Sequence, residues 1–342
     1  MGKVWGPDAV WKNRFTTALS VISALDESPL VEGLLYVGTN DGLVQVSEDG
    51  GQTWRKVEKI SGMREMATVS DLRASRMNAN TVYASFHYYE YGDFRPYLFR
   101  SLDRGQTWTP ITGDLPDRHI VWTIVDDHLN PNLLFAGTEF GLFASVDGGA
   151  RWMPMHGGLP TVAVRDLQIQ RRETDLVVGT FGRGIYVLDD YTPLRYLTAD
   201  TWKLEATLFP LRKACLFSER TYVRAAWGNE TTANSPFGAV FTYFVREARP
   251  TDAQPPTIVL VIKDAQGETV RTIDGTGTAG LQRVTWDLRE APRAEEGPGG
   301  QRRERPGPLV APGSYVVTLG MRAGDTFTPL GEQTFEVERL PT

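Results

Sequence analysis

A short segment of the chain concentrates side chains that could bind a ligand. Its polar and aromatic members are His87, Tyr88, Tyr89, Glu90, Tyr91, Asp93 and Arg95. Tyrosine rings stack on the apolar faces of a ligand, whereas carboxylates and a guanidinium group bind its polar groups. This combination suits carbohydrate or peptide recognition, so the sequence predicts a ligand-binding loop here. The alternative is that part of the segment packs on neighbouring structure and that residues 94–99 only begin a strand.

Catalysis at this segment would need two carboxylates held close together. Glycoside hydrolases place them about 5 to 5.5 Å apart for retention and about 6.5 to 9.5 Å apart for inversion. The carboxylates that could form such a pair are Glu90, Asp93, Asp41 and Glu139. Their spacing in the chain does not show that they converge. A GxSxG nucleophile motif does not occur, and the histidines at positions 87, 119, 128 and 156 are scattered. Binding is therefore favoured over catalysis.

Composition limits the class of protein. The 342 residues include 36 Lys and Arg against 42 Asp and Glu, a formal net charge of −6. Nucleic-acid binding is not expected, because neutralising phosphates needs a basic surface. Hydrophobic residues make up 41% of the chain, enough for packed cores, and 34 Gly with 21 Pro favour β-structure with many turns.

The sequence does not indicate disulfide bonds, structural metals, cofactors or membrane-spanning segments. The one cysteine, Cys215, cannot form an intramolecular disulfide, and no metal site or other cofactor is predicted. No apolar run approaches the about 18 residues of a membrane span. Residues 1–15 also lack the apolar core of a secretory signal peptide.

An internal repeat indicates the architecture. Three segments share one pattern: SEDGGQTW at 47–54, SLDRGQTW at 101–108 and SVDGGARW at 145–152. Each follows an apolar run with small residues, and a fourth such run at 175–184 has no pattern after it. The equivalent residues Val37, Ala84, Ala136 and Val178 are separated by 47, 52 and 42 residues. This period fits one four-stranded antiparallel sheet, the blade of a β-propeller.

The repeated pattern falls in the hairpin between the third and fourth strands of each blade. Its aspartates can accept backbone N–H groups inside the turn, its glycines permit positive φ, and its tryptophans can pack between blades. These structural positions are Asp49, Gly51, Trp54, Asp103, Gly105, Trp108, Asp147, Gly149 and Trp152.

The pattern resembles the Asp-box, or BNR, repeat SxDxGxTW. Boxes one and two match every fixed position, whereas box three has Arg151 in place of Thr, which should weaken one turn contact. Over residues 1–195, the fuller pattern, including GRGIYVLDDYTPLRYL at 182–197, is similar to the C-terminal blades of bacterial sortilin-type propeller proteins, which are often labelled glycosyl hydrolases. The resemblance implies that the box aspartates brace hairpins away from the ligand-binding face and are not catalytic.

The turns of a meander emerge alternately at two edges, so the loops between second and third strands lie opposite the Asp boxes. Residues expected on that face are Asn40, Asp41, Glu139, Phe140, Phe181 and Arg183. In the second repeat this loop is extended: sixteen residues separate Ser85 from Ser101, against nine from Gly38 to Ser47. The extension is the tyrosine-rich segment, and Arg183 joins it as a predicted ligand-binding residue.

The second half of the sequence predicts a different β-domain. Residues 196–235 read as a connector with at most short helix or strand pieces. Beyond it, six short apolar or alternating segments separated by turn residues predict a β-sandwich at 236–342. This part resembles the Ig-like domain that ends sortilin-type propeller proteins. The Gly- and Pro-rich residues 289–312 predict a mobile loop within it.

The sequence therefore predicts an all-β protein with Asp-box propeller blades at 1–195, followed by the connector and an Ig-like β-sandwich. Four repeats, the last without a box, indicate part of a larger propeller completed by a longer chain or a second polypeptide. We expect a non-catalytic module, secreted or periplasmic as part of a longer precursor, that binds a protein, peptide or glycan. The alternative is a fragment of a sialidase- or xyloglucanase-like glycoside hydrolase.

Overall fold

The chain folds almost entirely into β-strands. The computed structural model describes residues 20–57, 59–217, 237–246, 257–296 and 302–339. Within these residues the helical segments are short 3₁₀ turns at Tyr89–Tyr91, Thr192–Tyr196 and Thr201–Lys203. None of the described helices is long and apolar enough to span a membrane. The predicted all-β class is confirmed. The chain forms two units, residues 1–195 and 196–342.

The first unit contains four antiparallel sheets, each a meander with its strands in chain order. Blade 1 comprises β1 (Ile22–Glu27), β2 (Leu35–Thr39), β3 (Val44–Ser47) and β4 (Arg55–Val57). Blade 2 comprises β5 (Thr68–Ala74), β6 (Val82–Tyr88), β7 (Asp93–Ser101) and β8 (Thr109–Pro110). Blade 3 comprises β9 (Val121–Asp126), β10 (Leu134–Thr138), β11 (Gly141–Ser145) and β12 (Met153–Met155). Blade 4 comprises β13 (Val164–Gln170), β14 (Asp175–Thr180) and β15 (Ile185–Leu188).

The first strands of consecutive sheets lie side by side. Ser23 Oγ on β1 donates to the Val69 carbonyl on β5 at 2.8 Å, and Ser70 Oγ on β5 donates to the Val121 carbonyl on β9 at 3.1 Å. Strands β9 and β13 are also in contact. Sheets that meet through their first strands are arranged as propeller blades, which confirms the prediction from the repeats.

Apolar side chains hold neighbouring blades together. Val44 and Val46 of blade 1 share a buried cluster with Val69, Leu72 and Trp108 of blade 2. A second buried cluster joins blades 2 and 3 in the same way. Blades 2 and 3 have a neighbouring blade on each face, so their second strands, β6 and β10, are buried on both sides rather than alternating.

Each Asp box lies in the hairpin between the third and fourth strands of its blade. In the first box, Asp49 Oδ1 accepts a hydrogen bond from the Thr53 N–H at 2.9 Å, and Asp49 Oδ2 accepts one from Thr53 Oγ1 at 2.6 Å. Ser47 Oγ donates to the same carboxylate at 2.8 Å. The Trp54 indole donates to the Gly51 carbonyl at 3.0 Å, and Gly51 has a φ of +88°. The carboxylate therefore organises the turn.

The second box repeats these bonds, and the third differs. Asp147 Oδ1 accepts from the Arg151 N–H at 2.9 Å, but Arg151 has no hydroxyl to donate to the other oxygen. The Trp152 indole donates to the Ile111 carbonyl of blade 2 at 3.0 Å instead of to its own turn. The third box is therefore tied to the preceding blade.

We expect Asp49→Asn to change how stability depends on acidity. Hydrogen bonds from Thr53 lower the pKa of Asp49 to about 2, below the value of about 3.9 for an unfolded aspartate. A carboxyl group with a lowered folded-state pKa stabilises the fold above pH about 4, and this contribution is lost as the pH falls towards 2. Urea midpoints measured between pH 2 and 5 should therefore fall less steeply for Asp49→Asn than for the wild type. Parallel curves would contradict this role.

Two sheets of the second unit pack around one core. One sheet contains β16 (Ala206–Leu208), β18 (Ala239–Val245) and β21 (Gly280–Trp286). The other contains, in spatial order, β17 (Ala214–Leu216), β25 (Thr326–Arg339), β24 (Gly313–Ala323), β19 (Thr257–Lys263) and β20 (Thr269–Gly275). Phe241 and Trp286 of the first sheet share a buried cluster with Leu260, Val317 and Phe335 of the second.

The connector was predicted to hold at most short helix or strand pieces, and one other segment of this unit differs from expectation. The predicted connector contributes β16 and β17, which pair with β18 and β25, while its residues 218–235 lie outside the described residues. The predicted loop at 289–312 contains two further strands, β22 (Arg293–Glu296) and β23 (Arg302–Arg305), which pair antiparallel. The expectation of a loop was wrong at these strands, because the Gly and Pro residues that suggested it cluster outside them.

Candidate ligand-binding cleft

The first strand of every blade contains a β-bulge at the same position. The unpaired residues are Ser23, Ser70, Trp122 and Arg165 in blades 1 to 4. In blades 1 and 2 the serine hydroxyl bonds to the next blade, as described above. In blades 3 and 4 the two large side chains meet, with the Arg165 guanidinium carbon 3.6 Å from the centroid of the Trp122 ring. The bulges thus direct these two side chains towards one site.

This cation–π pair lies in an open cavity of about 350 Å³. The lining residues come from blades 2, 3 and 4 and from the segment before β9: Tyr89, Phe94, Arg118, Ile120, Trp122, Glu139, Phe140 and Arg165. Glu139 and Phe140 form the turn between β10 and β11, at the opposite end of the meander from the Asp box. We call this cavity the aromatic cleft.

Glu139 is held by the two bulge residues. Its Oε2 accepts a hydrogen bond from the Trp122 indole N–H at 2.8 Å and lies 3.7 Å from Arg165 Nη2. Arg165 also lies 5.4 Å from the centroid of the exposed Phe181 ring. The carboxylate therefore positions the indole and offsets the charge of Arg165.

Arg118 supplies the second positive charge of the aromatic cleft. Its guanidinium carbon lies 5.9 Å from the Phe94 ring centroid, and the side chain is exposed. Its backbone has a φ of +68°, a left-handed conformation that a residue with a Cβ rarely adopts. Such backbone strain is concentrated at functional positions. Glu139 offsets one arginine, so the described lining carries an excess positive charge at Arg118.

Part of the tyrosine-rich segment faces the aromatic cleft. The His87 ring stacks on Tyr89 with centroids 4.6 Å apart, and Tyr89 lies 6.1 Å from the Trp122 ring. His87 Nδ1 lies 3.3 Å from Glu90 Oε2. Burial raises the pKa of Tyr89. Tyr89 is thus the member of this segment that lines the cavity, with His87 packed against it.

The other residues of the segment form a separate cluster. The Tyr88 and Tyr91 rings stack with centroids 4.2 Å apart. Asp93 Oδ2 accepts hydrogen bonds from Arg95 at 2.6 Å and from Tyr97 at 2.7 Å. The Arg95 guanidinium holds the pKa of Asp93 well below its usual range. The structure does not bring these side chains to the aromatic cleft.

The four carboxylates proposed for catalysis are distributed over different surroundings. Glu139 lines the aromatic cleft, whereas Asp41 lines another cavity of about 330 Å³. Asp41 accepts hydrogen bonds from Thr39 and, at 2.8 Å, from Ser20. Glu90 and Asp93 are engaged with His87 and Arg95 as described. Among the described residues that line the aromatic cleft, Glu139 is the one carboxylate.

Arg183, the remaining predicted ligand-binding residue, lies exposed in the turn between β14 and β15 and is outside the cleft lining. The sequence analysis did not predict several residues that line the aromatic cleft. These are Phe94, Arg118, Ile120, Trp122 and Arg165. Trp122 and Arg165 had a usable signal, since the aligned first strands carry Ser, Ser, Trp and Arg at the bulge position. Arg118 lies in an irregular segment before a strand, and its position in the sequence carried no such signal.

The first unit thus carries Asp boxes at one edge of its propeller blades and the aromatic cleft at the other. Residues 45–56, which contain the first box, match the family described as BNR/Asp-box repeat. Among curated protein sequences, none is significantly similar to this chain.

Solved structures similar to the chain include both binding proteins and enzymes. A structure of YCF48 bound to D1 peptide is 11% identical, with 93% of this chain and 82% of that chain covered and a TM-score of 0.36. The GH74 enzyme of Niastella koreensis is 14% identical, with 91% and 45% covered and a TM-score of 0.43. The GH74 xyloglucanase of Xanthomonas campestris is 12% identical, with 92% and 47% covered and a TM-score of 0.37. The chain spans less than half the length of these two enzymes.

Proposed function

We propose that this chain is a non-catalytic binding module whose protein, peptide or glycan ligand occupies the aromatic cleft. The observation that carries the proposal is the cleft lining itself: four aromatic rings, two arginines and one carboxylate that is already engaged. Ligand sites are concave and mostly apolar, with a few polar groups that fix orientation. The location opposite the Asp boxes agrees with the expected ligand face.

The lining favours a peptide over a glycan. A sugar ring needs an open aromatic platform together with several hydrogen-bonding groups around it. One face of Trp122, the largest ring, is covered by Arg165 at 3.6 Å, and its N–H is bonded to Glu139. Phe94 and Phe140 offer apolar contact without hydrogen bonds, while Arg118 can bind a carboxylate. A peptide segment with apolar side chains next to an acidic one fits these groups.

Binding of defined probes tests this proposal. Fluorescent hexapeptides of apolar residues with one Asp or Glu at each position in turn would be titrated against the full chain, beside xyloglucan oligosaccharides. We expect the acidic peptides to bind and Arg118→Ala to weaken their binding at least ten-fold, since a charge-assisted hydrogen bond contributes about 1.5–3 kcal/mol.

Arg172→Ala is the matched control, because it removes the same charge from an exposed turn at the other end of blade 4. It should bind like the wild type. Peptide binding that is equal in the Arg118→Ala and Arg172→Ala variants would contradict the proposal, and so would binding of the oligosaccharide alone.

Hydrolysis remains the competing activity and has its own test. A hydrolase at this site would pair Glu139 with a second carboxylate, and the candidate is Glu90, because it contacts His87, which stacks on Tyr89 of the cleft. Turnover of aryl glycosides that is abolished by Glu139→Gln or Glu90→Gln would replace the binding proposal.

We propose further that the first unit is of sortilin type, that the second unit is an Ig-like sandwich, and that the module works outside the cytoplasm. The resemblance of residues 182–197 to sortilin-type propeller proteins supports the assignment of the first unit. Two sheets around a core that contains the fully buried Trp286 support the second. Secretion is supported by the resemblance to secreted propeller proteins.

A further inference from the structure

Two consecutive residues of β5 hold the backbone on both sides of the Trp122 bulge. Ser70 Oγ donates to the carbonyl of Val121, the residue before Trp122, at 3.1 Å. Asp71 Oδ2 accepts a hydrogen bond from the Thr123 hydroxyl at 2.9 Å and another from the N–H of the next residue at 3.2 Å. The bulge of blade 3 is therefore anchored from blade 2, before and after the indole-bearing residue.

The bulge of blade 4 is anchored from a blade that is not its direct neighbour. The residue of blade 3 at the position of Ser70 is Trp122, whose indole N–H bonds within its own blade. Asp166, the residue after the Arg165 bulge, accepts a hydrogen bond from Arg73 Nη2 at 3.3 Å. Because Arg73 lies on β5, this contact reaches from blade 2 to blade 4.

One guanidinium group connects the two anchors. Arg73 Nη2 lies 3.5 Å from Asp71 Oδ2 as well as 3.3 Å from Asp166 Oδ1. Burial raises the pKa of Asp71 to about 6, and the charge of Arg73 opposes this rise. The guanidinium therefore helps to keep the Asp71 carboxylate ionised, while it also holds the backbone that follows Arg165.

We propose that Arg73 is the positioning residue for the cation–π pair of the aromatic cleft. It acts through Asp71 on the strand that carries Trp122. It acts through Asp166 on the strand that carries Arg165, and so it aligns two side chains that stack 3.6 Å apart. The inference rests on the proposed function, because the stacked pair forms part of the lining of the ligand site.

The contact between Arg73 and Asp166 suits alignment rather than stability. The Asp166 side chain is 62% exposed, and exposed ion pairs contribute little to the free energy of folding. The serines at the bulges of blades 1 and 2 bond directly to the next blade. Trp122 and Arg165 instead present their side chains to the cleft, so other groups must fix the backbone beside them.

The near-ultraviolet circular dichroism of Trp122 tests the proposal without a ligand. The contribution of Trp122 is the difference between the full chain and its Trp122→Phe variant, measured with and without Arg73→Gln. We expect Arg73→Gln to reduce this contribution about two-fold, because an indole that is held less firmly gives a weaker signal. Arg73→Lys should cause a smaller loss, since it keeps the charge but not the planar fork. Urea midpoints would show that each variant is folded.

Arg104→Gln is the matched control. Arg104 also joins two blades through a carboxylate, donating to Glu48 at 2.6 Å, but it does so at the Asp-box edge. This variant should leave the Trp122 contribution unchanged. A contribution that Arg73→Gln and Arg73→Lys both leave unchanged would overturn the proposal. An equal loss in Arg104→Gln would also overturn it, since the effect would then be a general one on packing.

Peptide titration extends the test to the cleft itself. Arg73→Gln should weaken binding of the acidic hexapeptides about ten-fold, and it should have a smaller effect when Arg165→Ala is already present, because coupled residues are not additive. Equal effects in the two backgrounds would contradict action through Arg165. A wild type that binds none of the peptides would contradict the proposed function alone, since the Trp122 signal decides the positioning role separately.

Discussion

Arg195→Leu is expected to destabilise the first unit by about 3–5 kcal/mol, the cost of leaving a buried charge without its partner. The partner is Asp127, whose side chain is 0% exposed. Arg195 donates to both of its carboxylate oxygens, from Nε at 2.8 Å and from Nη2 at 2.7 Å. The Tyr191 hydroxyl donates to the same carboxylate at 2.7 Å.

The same contact joins the segment after blade 4 to blade 3. Asn130 Nδ2 also donates to the Arg195 carbonyl, at 3.3 Å. Burial raises the pKa of Asp127 by itself, but the hydrogen bonds from Arg195 and Tyr191 more than offset this, and its pKa lies below the ordinary value. The carboxylate therefore stays charged in the fold, and loss of the guanidinium cannot be compensated by water.

Urea unfolding followed by circular dichroism measures this effect. Arg172→Leu is the control, because Arg172 pairs with Glu173 on the surface and such pairs contribute about 0–1 kcal/mol. Adding Asp127→Asn to Arg195→Leu should restore part of the lost stability, since the buried group is then neutral. An Arg195→Leu variant as stable as Arg172→Leu would show that the buried ion pair does not hold this segment.

Sequence periodicity predicted the blades because four repeats carry similar strands at spacings of 42 to 52 residues, and three of them also carry the box. The aromatic cleft was predicted only in part. Tyr89, Glu139 and Phe140 were found, but β6 continues to Tyr88, and successive residues at the end of a strand face opposite sides. The tyrosine-rich segment is therefore divided between two surfaces, which a prediction of one continuous loop did not anticipate.

The remaining cleft residues escaped prediction for a related reason. Trp122 and Arg165 lie at bulges, where one unpaired residue interrupts the alternation of a strand. The apolar–polar alternation of a single strand does not show such an interruption, which becomes visible only when the four first strands are aligned. The exposure of Leu25 was also unexpected, since its residue type matches the buried Leu72 and what distinguishes them is that no blade adjoins Leu25 within the described residues.

The glycines of the middle strands give a prediction in which one substitution has opposite effects in two blades. Gly137→Ala should destabilise the fold by about 1–3 kcal/mol, the usual cost of overpacking. Its new Cβ would lie 2.7 Å from Thr123 Cγ2 and from Val164 Cγ1, and 2.9 Å from the Val164 carbonyl oxygen. Because one of these neighbours is backbone, a change of rotamer cannot remove the clash.

Gly179→Ala is the matched control at the equivalent position of blade 4. The nearest atoms to its Cβ would be those of Asp166 at 3.5 Å, an ordinary contact. Alanine also lowers the entropy of the unfolded chain, so we expect a gain of about 0.4–1 kcal/mol. Urea midpoints of the two variants would compare these effects. Adding Val164→Ala to Gly137→Ala should show favourable coupling, because it removes one of the clashing methyl groups. Equal effects of Gly137→Ala and Gly179→Ala would mean that close approach of the next blade does not select glycine at this position.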